Sequence, residues 1–198
     1  MAMQTVAEVL AFWLDELGPD GWYAGGAEID ARVRNRFEGL WHEAMAGACG
    51  PWLTDARGAL AYIVVTDQFP RNMFRDTARA FASDPHARAA ARLAIAEGWD
   101  MAVKEPERVF FYMPLEHSES LADQDDSVAM MGERLPETGA DYRLHALAHR
   151  EVIRAFGRFP TRNAALGRAT TPAEARWLAA GGYGAVVKAL QAGEVPTF

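Results

Sequence analysis

Apolar residues in this chain recur at spacings of three and four almost from end to end, which is the period of a helix and not of a strand. In AEIDARVRNRFEGLWHEAMAG, residues Ile29, Val33, Phe37, Leu40, Trp41 and Met45 form one stripe with charges between them. SDPHARAAARLAIAEG opens on Ser83 or Asp84 as a cap, carries Pro85 in its first turn and closes on Gly98. TTPAEARWLAAGG repeats that grammar with Thr171 as cap, Glu174 as its reciprocal partner and a glycine stop. No alternating strands bounded by hairpin turns occur. The one β-branched run, LAYIVV, continues from an alanine-rich segment and reads as a buried helix. The pattern predicts helices near 5–17, 27–47, 54–68, 83–98, 105–113, 118–133, 138–156, 171–181 and 184–191. Short connections make successive helices antiparallel neighbours, so the expected fold is all-α, a stack of helical hairpins.

The 198 residues fit one domain, 1–198, and half of them are hydrophobic, enough to bury a sizeable core. A net charge of −7 argues against nucleic acid or an anionic membrane as partner, because both need a basic surface. The single cysteine, Cys49, excludes an internal disulfide framework and a cysteine zinc site, and reads as a small buried residue near a glycine-rich turn. MAMQTVAEVLAFWLDELG has acids within its apolar stretch and no basic start, so it reads as an amphipathic helix rather than a signal peptide. No run approaches the length of a membrane span. A soluble cytoplasmic protein is expected. A homodimer is compatible with the sequence.

Two phrases nearly repeat: TDQFPRNMFRD at 66–76 and FGRFPTRNAALGR at 156–168. In the first, helical spacing puts Leu60, Val64 and Asp67 on one face. A carboxylate on an apolar stripe near a helix C-terminus loses water and meets the negative end of the dipole, so it needs a cation, and Arg71 and Arg75 are nearest. Phe69-Pro70 is expected to stop the helix and leave Arg71 and Asn72 on a turn. In the second, Gly157 is a plausible C-terminal cap, and Pro160 frees Arg162 and Asn163. Five arginines (71, 75, 158, 162 and 168) thus stand in loops of an acidic protein. They form either internal ion pairs or a positive site that forks onto carboxylate or phosphate.

A third constellation is MPLEHSESLADQDD. Ser118 is placed to cap a helix with Leu121 inside it, and Glu119, Asp123 and Asp126 lie on one side near its positive end. His117 beside Glu116 suits a general acid or base oriented by a carboxylate; a capped helix start with a bonded histidine uses the same residues. His145 and His149 stand four apart, a spacing compatible with two metal ligands, but no Glu lies between them and His149 also aligns with Ile153 and Phe156. No metal or cofactor is expected. Phosphate loops and a Gly-x-Ser-x-Gly elbow are absent, and the Trp and Phe positions read as core.

VLAFWLDELG, TDQFPRNMFRDTARAFASD, ERVFFYMPLEHSESLADQ and FGRFPTRNAALGR, in that order, resemble the bacterial domain-of-unknown-function 924 family over roughly residues 6–180. The resemblance implies an all-α, tetratricopeptide-repeat-like right-handed superhelix of about eight or nine helices, with no established activity. The motif positions it carries over are Asp67, Gln68, Pro70, Arg71, Asn72 and Arg75. To these it adds Glu116, His117, Ser118, Glu119 and Gln124, then Arg158, Pro160, Arg162, Asn163 and Arg168. Thr161 stands where the family commonly has histidine, and His145 departs from its pattern. Three functions are compatible with this reading. One is a binding module whose concave polar face holds an anionic small molecule or acidic peptide through those arginines and asparagines. Another is a metal-independent enzyme on an anionic substrate, with His117 transferring protons and Glu116 or Asp67 orienting it. In the third, the polar motifs are purely architectural.

Overall fold

A computed structural model describes residues 4–198; the first three residues of the segment read above as lacking a signal-peptide start lie outside the described residues. Every regular element among the described residues is helical. The residues group into two compact units, the first running to Pro114 and the second from Leu115 to Phe198.

The first unit begins with α1 (Val6–Leu10), opened by a capping box in which the Thr5 side chain accepts from Glu8 N–H and the Glu8 carboxylate accepts from Thr5 N–H. A π-helical stretch (Ala11–Leu17) leads into α2 (Gly18–Trp22); α3 (Ala27–Met45) and α4 (Ala56–Ile63) follow. A second π stretch, Val64–Gln68, joins α4 to α5 (Phe69–Met73), and α6 spans Asp84–Ala96. The apolar stripes meet in an aromatic core. Phe37 stacks on Phe69 at 4.6 Å, Phe12 lies 5.0 Å from Phe37, and Trp22 meets Phe110 edge-on at 4.7 Å. Burying each such ring stabilises the fold by about 2–3 kcal/mol. LAYIVV lies within α4 and the π stretch, buried throughout, as expected of a core helix.

Pro70 does not stop the helix. The wide turn before it satisfies Phe69 N–H on Val64 C=O, five residues back, so the chain runs on to Met73 with Arg71 and Asn72 helical rather than on a turn. Pro70 has no N–H for the carbonyl of Thr66 four residues earlier. The Ser83 hydroxyl donates to that oxygen at 2.6 Å and accepts from Trp41 Nε1 at 3.0 Å. Ser83 therefore stands at the N-cap of α6 without its side chain capping it. The segment expected as a helix near 105–113 is a 3₁₀ stretch, Glu107–Phe111, followed by the single-turn α7 (Met113–Glu116).

In the second unit, α8 (Leu121–Glu133) and α9 (Gly139–Phe156) form an antiparallel hairpin, because Asp125 pairs with Arg150 at 3.4 Å while Gly132 lies against Arg143. Gly139 is required at the turn: a Cβ there would press into the Met131 carbonyl. The helix starts later than Ser118. Ser120 is its N-cap, while Ser118 Oγ donates to Asp123 at 2.5 Å. Gly157, left-handed at φ 68°, ends α9 with its N–H on Ile153 C=O, and Pro160 opens a 3₁₀ turn (Pro160–Arg162) beyond it. The expected capping box of Thr171 and Glu174 opens α10 (Pro172–Ala179), and α11 (Gly182–Gln191) packs on α9. Val152, Ile153, Phe159, Trp177 and Val186 make this unit's core.

Candidate functional site

The first polar phrase lies wholly in the first unit. Asp67 is fully buried, and its carboxylate meets Gln68 Nε2 at 2.6 Å and Arg71 Nη1 at 3.2 Å. Arg71 also reaches Asp84 at 3.1 Å. Arg75 does not serve Asp67; it forks onto Asp30 of α3 at 2.9 and 2.8 Å, and Asn72 donates to the same carboxylate at 3.1 Å. The Arg75 hydrogen bond, reinforced by Asn72, holds the Asp30 carboxyl below its ordinary range. Cys49 is buried and free, and desolvation, then the charge of Glu43, push its thiol up to about 11, far from a nucleophile's range.

The second and third phrases come together in the second unit. Glu119 accepts two bonds from Arg168, at 2.8 and 3.0 Å, and one from the N–H of Phe159 at 2.8 Å. Burial pushes its carboxyl up, but these donors outweigh it and leave the value lowered. Arg158 clamps Glu174 at 2.6 and 2.9 Å. That fork, the Thr171 N–H and the Thr171 hydroxyl bring Glu174 down to about 2. Asn163 donates to Glu174 and to Thr170. Gln124 donates to the carbonyls of Glu116 and Ser118, fixing the loop between α7 and α8. Arg162 donates to His117 C=O at 2.9 Å with its guanidinium 4.4 Å above the Phe159 ring. Arg71, Arg75, Arg158 and Arg168 thus each hold a carboxylate of their own unit.

Glu116 has a different partner. Its Oε1 lies 2.7 Å from Nδ1 of His149, at the middle of α9, and the same Nδ1 is 2.9 Å from His145 C=O. Carboxylate and carbonyl can only accept, so Nδ1 carries the proton and, in the neutral ring, Nε2 carries the lone pair. Among the described residues Nε2 has no hydrogen-bond partner. Burial alone would push the Glu116 carboxyl up. The charge and hydrogen bond of His149, with His117 and His145 nearby, hold it below the usual carboxylate range. The His149 ring packs edge-on against Phe159 at 5.4 Å and tilted against Tyr183 at 4.7 Å. The Tyr183 hydroxyl sits 2.6 Å from His145 Nδ1, and burial, then the Glu116 charge, push its ionisation well up, so it stays a neutral phenol.

These rings wall a pocket of about 250 Å³ lined by His149, Val152, Phe159, Thr161, Trp177 and Tyr183. Thr161 is exposed at its edge, whereas Trp177 is 4% exposed and its indole N–H has no acceptor among the described residues. The pocket thus has aromatic walls, a threonine at its edge and the Glu116-paired His149 among its lining residues. Local spacing could not reveal it. In the sequence His149 stands only as a neighbour of His145 or as a packing residue, and Trp177 and Tyr183 carry no polar signal. Among the described residues no three His, Cys, Asp or Glu side chains are arranged to hold a metal ion, and no helix is long and apolar enough to cross a membrane.

No curated protein matches the chain. A solved structure of a protein of unknown function from Agrobacterium tumefaciens is similar to it, with 40% sequence identity and a TM-score of 0.82 over 87% of this chain and 96% of that one. The profile of the family described as bacterial protein of unknown function (DUF924) matches residues 9–182, nearly the whole chain, and so the protein belongs to the DUF924 family.

Proposed function

We propose that this is a soluble, cytoplasmic binding module whose ligand, a small anionic molecule, enters the pocket at His149. The observation that carries this reading is the pairing of Glu116 with His149 Nδ1, which aligns the imidazole and leaves Nε2 for a guest. A volume of about 250 Å³ lies just below the range of drug-sized sites and suits one ring with a substituent better than an extended peptide. Arg75, Arg158 and Arg168 we assign to bracing, since their forks are already closed on Asp30, Glu174 and Glu119.

A screen of single-ring carboxylates and inorganic phosphate, read by the imidazole NMR signal of His149 and by thermal shift, tests this. Ligands should move the His149 signal, His149→Ala should abolish the shift, and Arg75→Ala should leave it unchanged. Binding that survives His149→Ala sinks the reading. The same Glu116–His149 pair favours one alternative, a proton-transfer enzyme in which His149, rather than His117, is the general base. An esterase and amidase screen decides it. Turnover lost in His149→Ala and kept in His117→Ala supports that alternative, whereas turnover lost only in His117→Ala removes His149 from it.

A further inference from the structure

The segment beyond α11 leaves its helix abruptly and is held by a side chain rather than by its backbone. Gly193, left-handed at φ 71°, donates to Leu190 C=O and Glu194 donates to Ala189 C=O, which closes α11. Pro196 then biases Val195 to an extended backbone. From Val195 onward no hydrogen bond holds the segment among the described residues, and Val195 is 88% exposed. The anchor is the ring of Phe198, stacked on Trp177 at 6.5 Å and meeting Phe156 edge-on at 5.7 Å. Phe198 remains 46% exposed. With about half a phenyl ring removed from water, the seated segment is favoured over the free one by only about tenfold, before the cost of ordering it.

The ring that Phe198 stacks on is also a wall of the His149 pocket. Trp177 meets Phe156 at 5.3 Å, and a Cβ at Gly182 would sit 3.8 Å from the Trp177 ring, so the indole is held on several sides and Phe198 supplies one of them. Resting on the binding reading above, we infer that residues 195–198 are a latch on the pocket. Seated, Phe198 fixes the Trp177 wall; released, it lets that wall give and opens the way to His149. Phe198 is thus a positioning residue, acting on a guest only through Trp177. The occupant of the Phe156–Trp177 seat is this chain's own segment. A wall set in advance spares a guest part of the ordering cost, and one aromatic pair is worth a factor of about two to ten in affinity.

The latch can be tested on the full chain without a ligand. Diethyl pyrocarbonate modifies accessible imidazoles, and peptide mass spectrometry reads its rate at His149. Phe198→Ala should raise that rate by about two- to tenfold and move the Trp177 indole NMR signal. Phe198→Tyr should restore both, and Val195→Ala, a change on the same segment away from the seat, should alter neither. A synthetic, amidated Glu-Val-Pro-Thr-Phe peptide at millimolar concentration should return the Phe198→Ala chain toward the wild-type rate. In the same variant benzoate, used as a single-ring carboxylate, should bind about two- to tenfold more weakly. An unchanged rate at His149 in Phe198→Ala overturns the inference whatever benzoate does. A Trp177 signal that moves while rate and benzoate affinity stay put also overturns it, since Phe198 then only packs. A faster rate with no benzoate binding to the wild type keeps the latch and removes benzoate from the binding reading, so the two ideas fail separately.

Discussion

Asp67 in the first unit and Glu116 in the second are both buried carboxylates, and their partners Arg71 and His149 are almost equally exposed, at 22% and 23%. Burial therefore does not distinguish the two sites. The partner's chemistry does. A guanidinium has only donors and a permanent charge, and Arg71 divides its own between Asp67 and Asp84. An imidazole held at Nδ1 keeps a second nitrogen that can change its proton count, and at His149 that nitrogen belongs to a pocket-lining residue. One pair braces; the other can respond.

That contrast can be broken by substitution. Arg71→Ala takes the guanidinium from the fully buried Asp67 carboxylate and should destabilise by about 3–5 kcal/mol in urea unfolding. Glu116→Gln keeps a hydrogen-bond acceptor for a ring that tolerates neutrality, and should cost less, about 1–3 kcal/mol. Equal losses would mean that the two acids do the same job.

Acid titration sharpens the comparison within the second unit. Glu174 lies at about 2 in the folded chain against an ordinary 4.5. Its folded value is depressed, so its contribution is fully present above about 4.5 and disappears as pH falls toward 2. Urea midpoints across that window should fall for the wild type and show a shallower slope for Arg158→Ala; identical slopes would remove the Arg158 fork as the cause. The smallest effect is expected at Arg75→Ala. This bidentate pair with Asp30 is half-exposed on the arginine side, and its loss should cost under about 1 kcal/mol by the same unfolding measurement.

What the sequence disclosed follows the range of the interaction. The capping box of Thr171 and Glu174, the Gly157 stop and the Asp67–Arg71 pair each span a few residues, and the structure contains all three. The stripe through Val33, Phe37, Leu40 and Trp41 is equally local and is buried as expected. Partners far apart in the chain were not legible: Asp30 for Arg75, Glu174 for Arg158, Glu119 for Arg168 and Glu116 for His149. Carboxylates are common enough that no spacing selects the right one, and the indole of Trp177 looks like any core aromatic until its N–H is found without an acceptor.

The wide turn at Val64–Gln68 has a further consequence for anyone editing this chain. It inserts one residue into the helical phase, and every residue after it is rotated by roughly 100° from where an unbroken α-helix would put it. Shedding that residue would restore the phase but set the Pro70 ring against a carbonyl, while replacing Pro70 alone would leave Thr66 C=O contested between a new N–H and Ser83. The extra residue, the proline and a serine thirteen positions beyond it therefore form one editable unit, to be changed together or left alone.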